Sequence, residues 1–170
     1  MSQDPKIVAR SLPEANMDVI QLAPNSAVVS IGEPDGPLPY GFDADNPLHL
    51  RLEFHDVLEP DPSAYTDTER TIRPPGPEDV ELLRRRAESL RQAGLVYCHC
   101  NAGISRSTAV AYILRCIWSG PGGEAECLQA VIDDRPSARP NELLVGYADA
   151  QLGRDGRMLA AVERLVDGPH

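Results

Sequence analysis

The period of the apolar positions changes several times along the chain, and each change marks an element. Leu48, Leu50, Leu52 and Phe54 alternate with polar residues, which predicts a strand carrying all four on one face. Its end delivers His55 and Asp56 to the carboxyl edge of a sheet. The compact β-branched run at 27–32, bounded by turn residues, predicts a central strand buried on both faces. Ile7, Val8 and Ala9 fit a short edge strand, and Leu95, Val96 and Tyr97 open another. A helical period governs 77–92, with Val80, Leu83, Ala87 and Leu90 on the core face, proline first, acidic residues in the first turn and Gly94 beyond the end. Further helices are expected at about 11–22, capped by Ser11 or a neighbour, and at 107–118, 124–134, 141–152 and 156–166. Proline, glycine and acidic residues keep 32–39 and 57–76 irregular, and a loop as long as the second is usually a lid or binding loop. Strands alternating with helices imply an α/β fold with a mainly parallel central sheet flanked by helices. Ligands bind such sheets beyond the carboxyl ends of the strands.

Length and charge narrow the reading. A chain of 170 residues with 42% apolar composition suits one domain, 1–170, with one core. A net charge of −10 argues against nucleic acid or an anionic membrane as the main partner, and disfavours highly acidic substrates. The first ten residues carry no apolar core of signal-peptide length and no later run approaches membrane-spanning length, so a cytoplasmic location is expected. In that reducing compartment the four cysteines are read as free thiols, Cys98 as a core residue. Cys98, His99 and Cys100 lack a second ligand pair at finger-like spacing, so no metal is expected.

The chemistry concentrates where the strand opened by Leu95 ends. Cys100 leads a short loop, Gly103 supplies the backbone freedom of a tight turn, and Arg106 closes it against the helix expected at 107–118. Unpaired N–H groups and the positive end of a helix dipole favour an anion there. Such a setting beside a guanidinium also favours a thiolate nucleophile over a thiol. Arginine adds a planar fork for bidentate phosphate binding that lysine cannot reproduce.

His99-Cys100-Asn101-Ala102-Gly103-Ile104-Ser105-Arg106-Ser107 resembles the signature loop of the cysteine-dependent protein tyrosine phosphatases, specifically the dual-specificity branch. Arg135-Pro136 followed by Pro140-Asn141 is similar to a second stretch of that family, which lies near its site. The resemblance implies a phosphatase fold, no cofactor, and a cysteinyl-phosphate mechanism with Cys100 as nucleophile. It implies a cradle formed by Asn101, Ala102, Gly103, Ile104, Ser105 and Arg106, which phosphate, sulfate or vanadate would occupy. Ser107 would stabilise the leaving thiolate, a role that competes with helix capping, and His99 would orient the loop. Asn141 would brace the loop or cap the helix that follows.

The family's general acid is an aspartate after an earlier strand, and Phe54-His55-Asp56 resembles its setting. The interval from Asp56 to Cys100 exceeds the family's usual one because 57–76 is enlarged, so Asp61 and Asp67 stay as candidates. The loop lacks the lysines of relatives that act on phosphoinositides, which favours a phosphorylated protein or peptide as substrate. The alternatives are a phospho-residue binding module without turnover and a phosphatase of a non-protein phosphoester.

Overall fold

The computed structural model describes residues 3–65 and 70–168. Its four strands are β1 (Lys6–Ser11), β2 (Ser26–Gly32), β3 (His49–Glu53) and β4 (Leu95–Cys100), and its helices are α1 (Leu12–Asp18), α2 (Pro77–Arg91), α3 (Arg106–Ser119), α4 (Glu124–Asp134), α5 (Glu142–Leu152) and α6 (Arg157–Asp167). The strands lie in the order β1-β4-β2-β3 and all pairings are parallel. β4 is therefore central, with β1 and β3 at the edges. β2 is buried at every position, as a strand covered on both faces must be. On β3, Leu50 and Leu52 are buried together with Phe54 just beyond it, while Leu48 is half-buried.

The two faces of the sheet are unequal. Val96, Cys98 and Cys100 of β4 join Val29, Ile31, Leu50 and Leu52 under α2 to α6, and this is the main core. Val80, Leu83, Ala87 and Leu90 of α2 are all buried in it. Each large apolar side chain fully removed from water there stabilises the fold by roughly 1.5–3 kcal/mol. On the opposite face Val8, Val28 and Tyr97 pack with Ala15 and Val19 in a small cluster. α1 is shorter than the pattern at 11–22 suggested, since a 3₁₀ turn over Val19–Gln21 replaces its last part. Ser11 caps it in a reciprocal box with Glu14.

Two connections shape the carboxyl edge. β2 reaches its parallel neighbour β3 through 33–48 without a helix, because proline, glycine and acidic residues there cannot sustain one. The described residues of segment 54–76 are irregular apart from a 3₁₀ turn at Pro62–Tyr65, and the base of the segment is pinned. The His55 N–H donates to the Arg73 carbonyl at 2.7 Å, and the Arg73 N–H donates back to His55 Nδ1 at 3.0 Å. Arg73 also pairs with Asp79 and Glu78 at the start of α2. Among the described residues no helix is long and apolar enough to cross a membrane, and all four cysteines are buried free thiols.

Candidate active site

β4 ends at Cys100, and the chain turns through 101–105 before α3 begins at Arg106. Gly103 has φ +71°, and a Cβ there would lie 2.5 Å from the Arg10 carbonyl carbon, so the close approach to β1 admits no side chain. The loop turns its carbonyls outward. Asn101 accepts from the Leu12 N–H at 3.1 Å, Ile104 from the Arg139 N–H at 2.8 Å and Ser105 from the Asn141 N–H at 3.2 Å. Because no described peptide is cis, each outward carbonyl sends the following N–H in the opposite direction. The N–H groups of Ala102, Ser105 and Arg106 are thereby turned to the concave side of the loop, at the head of α3. That arrangement suits a tetrahedral anion.

Cys100 is 2% exposed, and its Sγ accepts from the Gly103 N–H at 3.2 Å. Ser107, fully buried, places its Oγ 3.2 Å from the same sulfur. Ser107 does not cap the helix, since the helix starts at Arg106 and Ser105 occupies the cap position. Arg106 is 4% exposed. Its Nη1 donates to the Phe54 carbonyl at 2.9 Å, and its buried Nε has no protein partner. A buried guanidinium N–H left without an acceptor is costly, and an anionic ligand would satisfy it.

Asp56 stands at the rim, exposed, and its Oδ1 accepts from Ser105 Oγ at 2.7 Å and from Asn141 Nδ2 at 2.9 Å. Asn141 serves both ends of its amide. Its Oδ1 accepts from the Leu144 N–H and caps α5, while its Nδ2 reaches Asp56 and the Val57 carbonyl. A groove of about 390 Å³ opens beside this junction, lined among others by Asp56, Leu58, Ser105, Arg139 and Pro140. Asp61 is turned to its own 3₁₀ segment, accepting from the Ser63 N–H at 2.9 Å. Asp67 lies outside the described residues.

His99 is part of a chain that the local sequence does not announce. Arg51 Nη1 donates to Ser30 Oγ at 2.8 Å, Ser30 Oγ lies 2.6 Å from His99 Nε2, and His99 Nδ1 faces the Cys100 carbonyl at 3.4 Å. The register of β3, β2 and β4 sets the three side chains in one row. With Arg51 donating, the serine hydroxyl is free to donate to a neutral imidazole. Burial above all holds the pKa of His99 at about 4; the Cys100 carbonyl pulls it upward, and the charges of Arg51 and Arg106 lower it further. Unfolding releases this histidine to about 6.5, so the unfolded chain binds more protons between those values and stability falls as pH drops from 6.5 to 4. We expect the parent to lose about 3 kcal/mol more unfolding free energy between pH 7.5 and 4 than His99→Gln does, measured by urea titration. Equal losses would show that His99 titrates freely in the folded protein.

A parallel four-stranded sheet covered by one helix on one face and five on the other, with a cysteine loop at the carboxyl end of its central strand, is the fold of the dual-specificity phosphatases. Human DUSP28 superposes with a TM-score of 0.53 at 23% identity, covering 88% of this chain and 95% of that one. DUSP15 gives 0.55 at 20% identity over 94% and 92% of the two chains, and PTPMT1 in complex with PI(5)P gives 0.54 at 18% identity over 88% and 94%. No protein-family model matches the sequence, and no curated protein matches it either. Among the described residues no group of three His, Cys, Asp or Glu is arranged to hold a metal ion.

Proposed function

We propose that this protein is a cysteine-dependent phosphomonoester hydrolase acting on phosphorylated protein, with phosphotyrosine as the preferred group. The observation that carries the reading is the buried thiol of Cys100 inside a loop of inward N–H groups, beside a guanidinium whose buried Nε has no protein acceptor. In the first step the Cys100 thiolate attacks phosphorus in line, the P–O bond to the leaving group breaks, and Asp56 gives that oxygen its proton. The loop N–H groups and Arg106 hold the equatorial oxygens. Both hydrogen bonds to Asp56 fall on Oδ1, so Oδ2 is the oxygen that carries the proton. In the second step Asp56 accepts a proton from water as its oxygen attacks phosphorus, the P–S bond breaks, and Ser107 Oγ donates to the departing thiolate. His99 and Asn141 hold the loop and the acid in place without touching the reacting atoms.

The likeness to PTPMT1 in complex with PI(5)P makes a non-protein phosphoester the competing substrate class. The lysine-free loop, Asn101 to Ser105, favours the protein substrate because it offers no extra cation for a polyphosphorylated ring. A panel of phosphotyrosine and phosphoserine peptides, phosphoinositides and nucleotides tests this, with the phosphotyrosine peptides expected to give the highest kcat/KM. Binding without turnover on every member would make the protein a phospho-residue binding module.

The role of Asp56 predicts an asymmetric defect. Expelling tyrosine's phenol, with a pKa of about 10, unprotonated is costly, whereas a nitrophenol departs readily without help. Asp56→Asn is expected to slow phosphotyrosine peptide hydrolysis by about a hundredfold or more and nitrophenyl phosphate hydrolysis less. If Asp56→Asn behaves like the parent while Asp61→Asn or Asp67→Asn shows the asymmetry, segment 57–76 supplies the acid.

A further inference from the structure

Arg135 is the last residue before Pro136, and the proline's ring excludes it from the helical region: φ −134° and ψ 88° end α4 there. The side chain leaves α4 toward the cysteine loop. Its Nη1 and Nη2 donate to the two Glu14 oxygens at 3.0 and 2.8 Å, its Nε donates to the Gly103 carbonyl at 3.1 Å, and Nη2 reaches the Ala102 carbonyl at 3.4 Å. Glu14 is fixed in turn, since its Oε1 accepts from the Ser11 N–H in the capping box of α1. One guanidinium thus joins α1, α4 and the two loop carbonyls that the backbone contacts described above leave unassigned.

The consequence follows from peptide planarity. Drawing the Ala102 carbonyl outward turns the Gly103 N–H inward, where it meets Cys100 Sγ at 3.2 Å. Drawing the Gly103 carbonyl outward does the same to the Ile104 N–H. We propose that Arg135, locked by Glu14, is a positioning residue that orients two peptide units of the cradle, one donating to the Cys100 sulfur and one to the bound phosphoryl group. This rests on the reading of the loop as a phosphate site. The Glu14 carboxyl is held down at about 2, chiefly by its hydrogen bonds to Arg135, so the lock is ionised throughout the range in which a phosphatase is assayed.

The test uses the full chain and reads the loop apart from turnover. The rate of Cys100 alkylation by iodoacetamide is followed against pH, by mass spectrometry of the Cys100 peptide, with and without inorganic phosphate. In Arg135→Gln the pH of half-maximal alkylation is expected to rise by about one unit, and phosphate to protect Cys100 about tenfold less well, the scale of one hydrogen bond to a charged group. Arg135→Lys, which reaches one carbonyl but not the fork, should fall between this variant and the parent. A lowered melting temperature with the alkylation profile and phosphate protection of the parent would overturn the proposal, because a merely structural residue predicts that pattern. If Arg135→Gln does not fold, Glu14→Ala carries the test: it keeps Arg135 but removes both acceptor oxygens of the lock, and an unchanged profile there overturns the proposal equally. A parent without turnover on any phosphoester, whose alkylation still responds to Arg135→Gln, would support the positioning role and overturn the hydrolase reading.

Discussion

Replacing Cys100 by serine is expected to lower turnover of any phosphomonoester by roughly 10⁴-fold or more, the scale on which deleting a catalytic nucleophile acts. The substitution exchanges one atom at a buried position. A serine Oγ can still accept from the Gly103 N–H and stay within reach of Ser107, so the loop and the fold have no reason to rearrange. The hydroxyl is a far weaker nucleophile at neutral pH, and no histidine of the site is placed to activate it: His99 is committed to Ser30 and faces the Cys100 carbonyl. The expected signature is lost turnover with parent-like affinity for inorganic phosphate by calorimetry. Activity within tenfold of the parent would show that another group attacks phosphorus.

The second large effect belongs to Arg106→Lys, expected to cost about a hundredfold or more in kcat/KM. Arg106 divides its guanidinium between the Phe54 carbonyl, which fixes the plane of the fork, and a free Nε. A lysine has a single ammonium and must choose between that carbonyl and the phosphate. Either choice loses the two-pronged grip on oxygens that move as phosphorus inverts. The positive charge is retained, so a simple electrostatic account predicts little change, and the measurement separates the two. Vanadate should protect Cys100 from alkylation strongly in the parent and poorly in this variant.

Local pattern carried most of the fold. The alternation of Leu48, Leu50, Leu52 and Phe54 and the buried run of β2 specify strands because one side-chain period fits each environment. The helices fall within a residue or two of their periodic stretches, except α1, whose last turn tightens to 3₁₀. The placement of β4 between β1 and β2 was not legible, since strand order depends on contacts between distant segments. The site divides in the same way. Cys100, Arg106 and Ser107 lie in one continuous stretch and could be read together, whereas Asp56 meets Ser105 and Asn141 across 49 and 85 positions. The two readings of Asn141 are compatible, because its side-chain oxygen caps α5 while its backbone N–H donates to the Ser105 carbonyl of the loop, and its amide nitrogen reaches Asp56 instead. Ser30 and Arg51 were missed. A serine inside the fully buried run of β2 was the available signal, since a buried hydroxyl needs a partner. Arg51 gave none, as an arginine on the polar side of an alternating strand reads as solvated until the register places it beside Ser30.

The central claim is that phosphate passes through the sulfur of Cys100. Rapid acid quench of the parent during hydrolysis of ³²P-labelled phosphotyrosine peptide tests it directly, with peptide mapping of the labelled protein. The expected result is label on the Cys100 peptide, released by iodine as an S–P bond requires, that accumulates further in Asp56→Asn when ³²P-labelled nitrophenyl phosphate is the substrate. Turnover with no label on protein at any quench time, or with label on another residue, would contradict it.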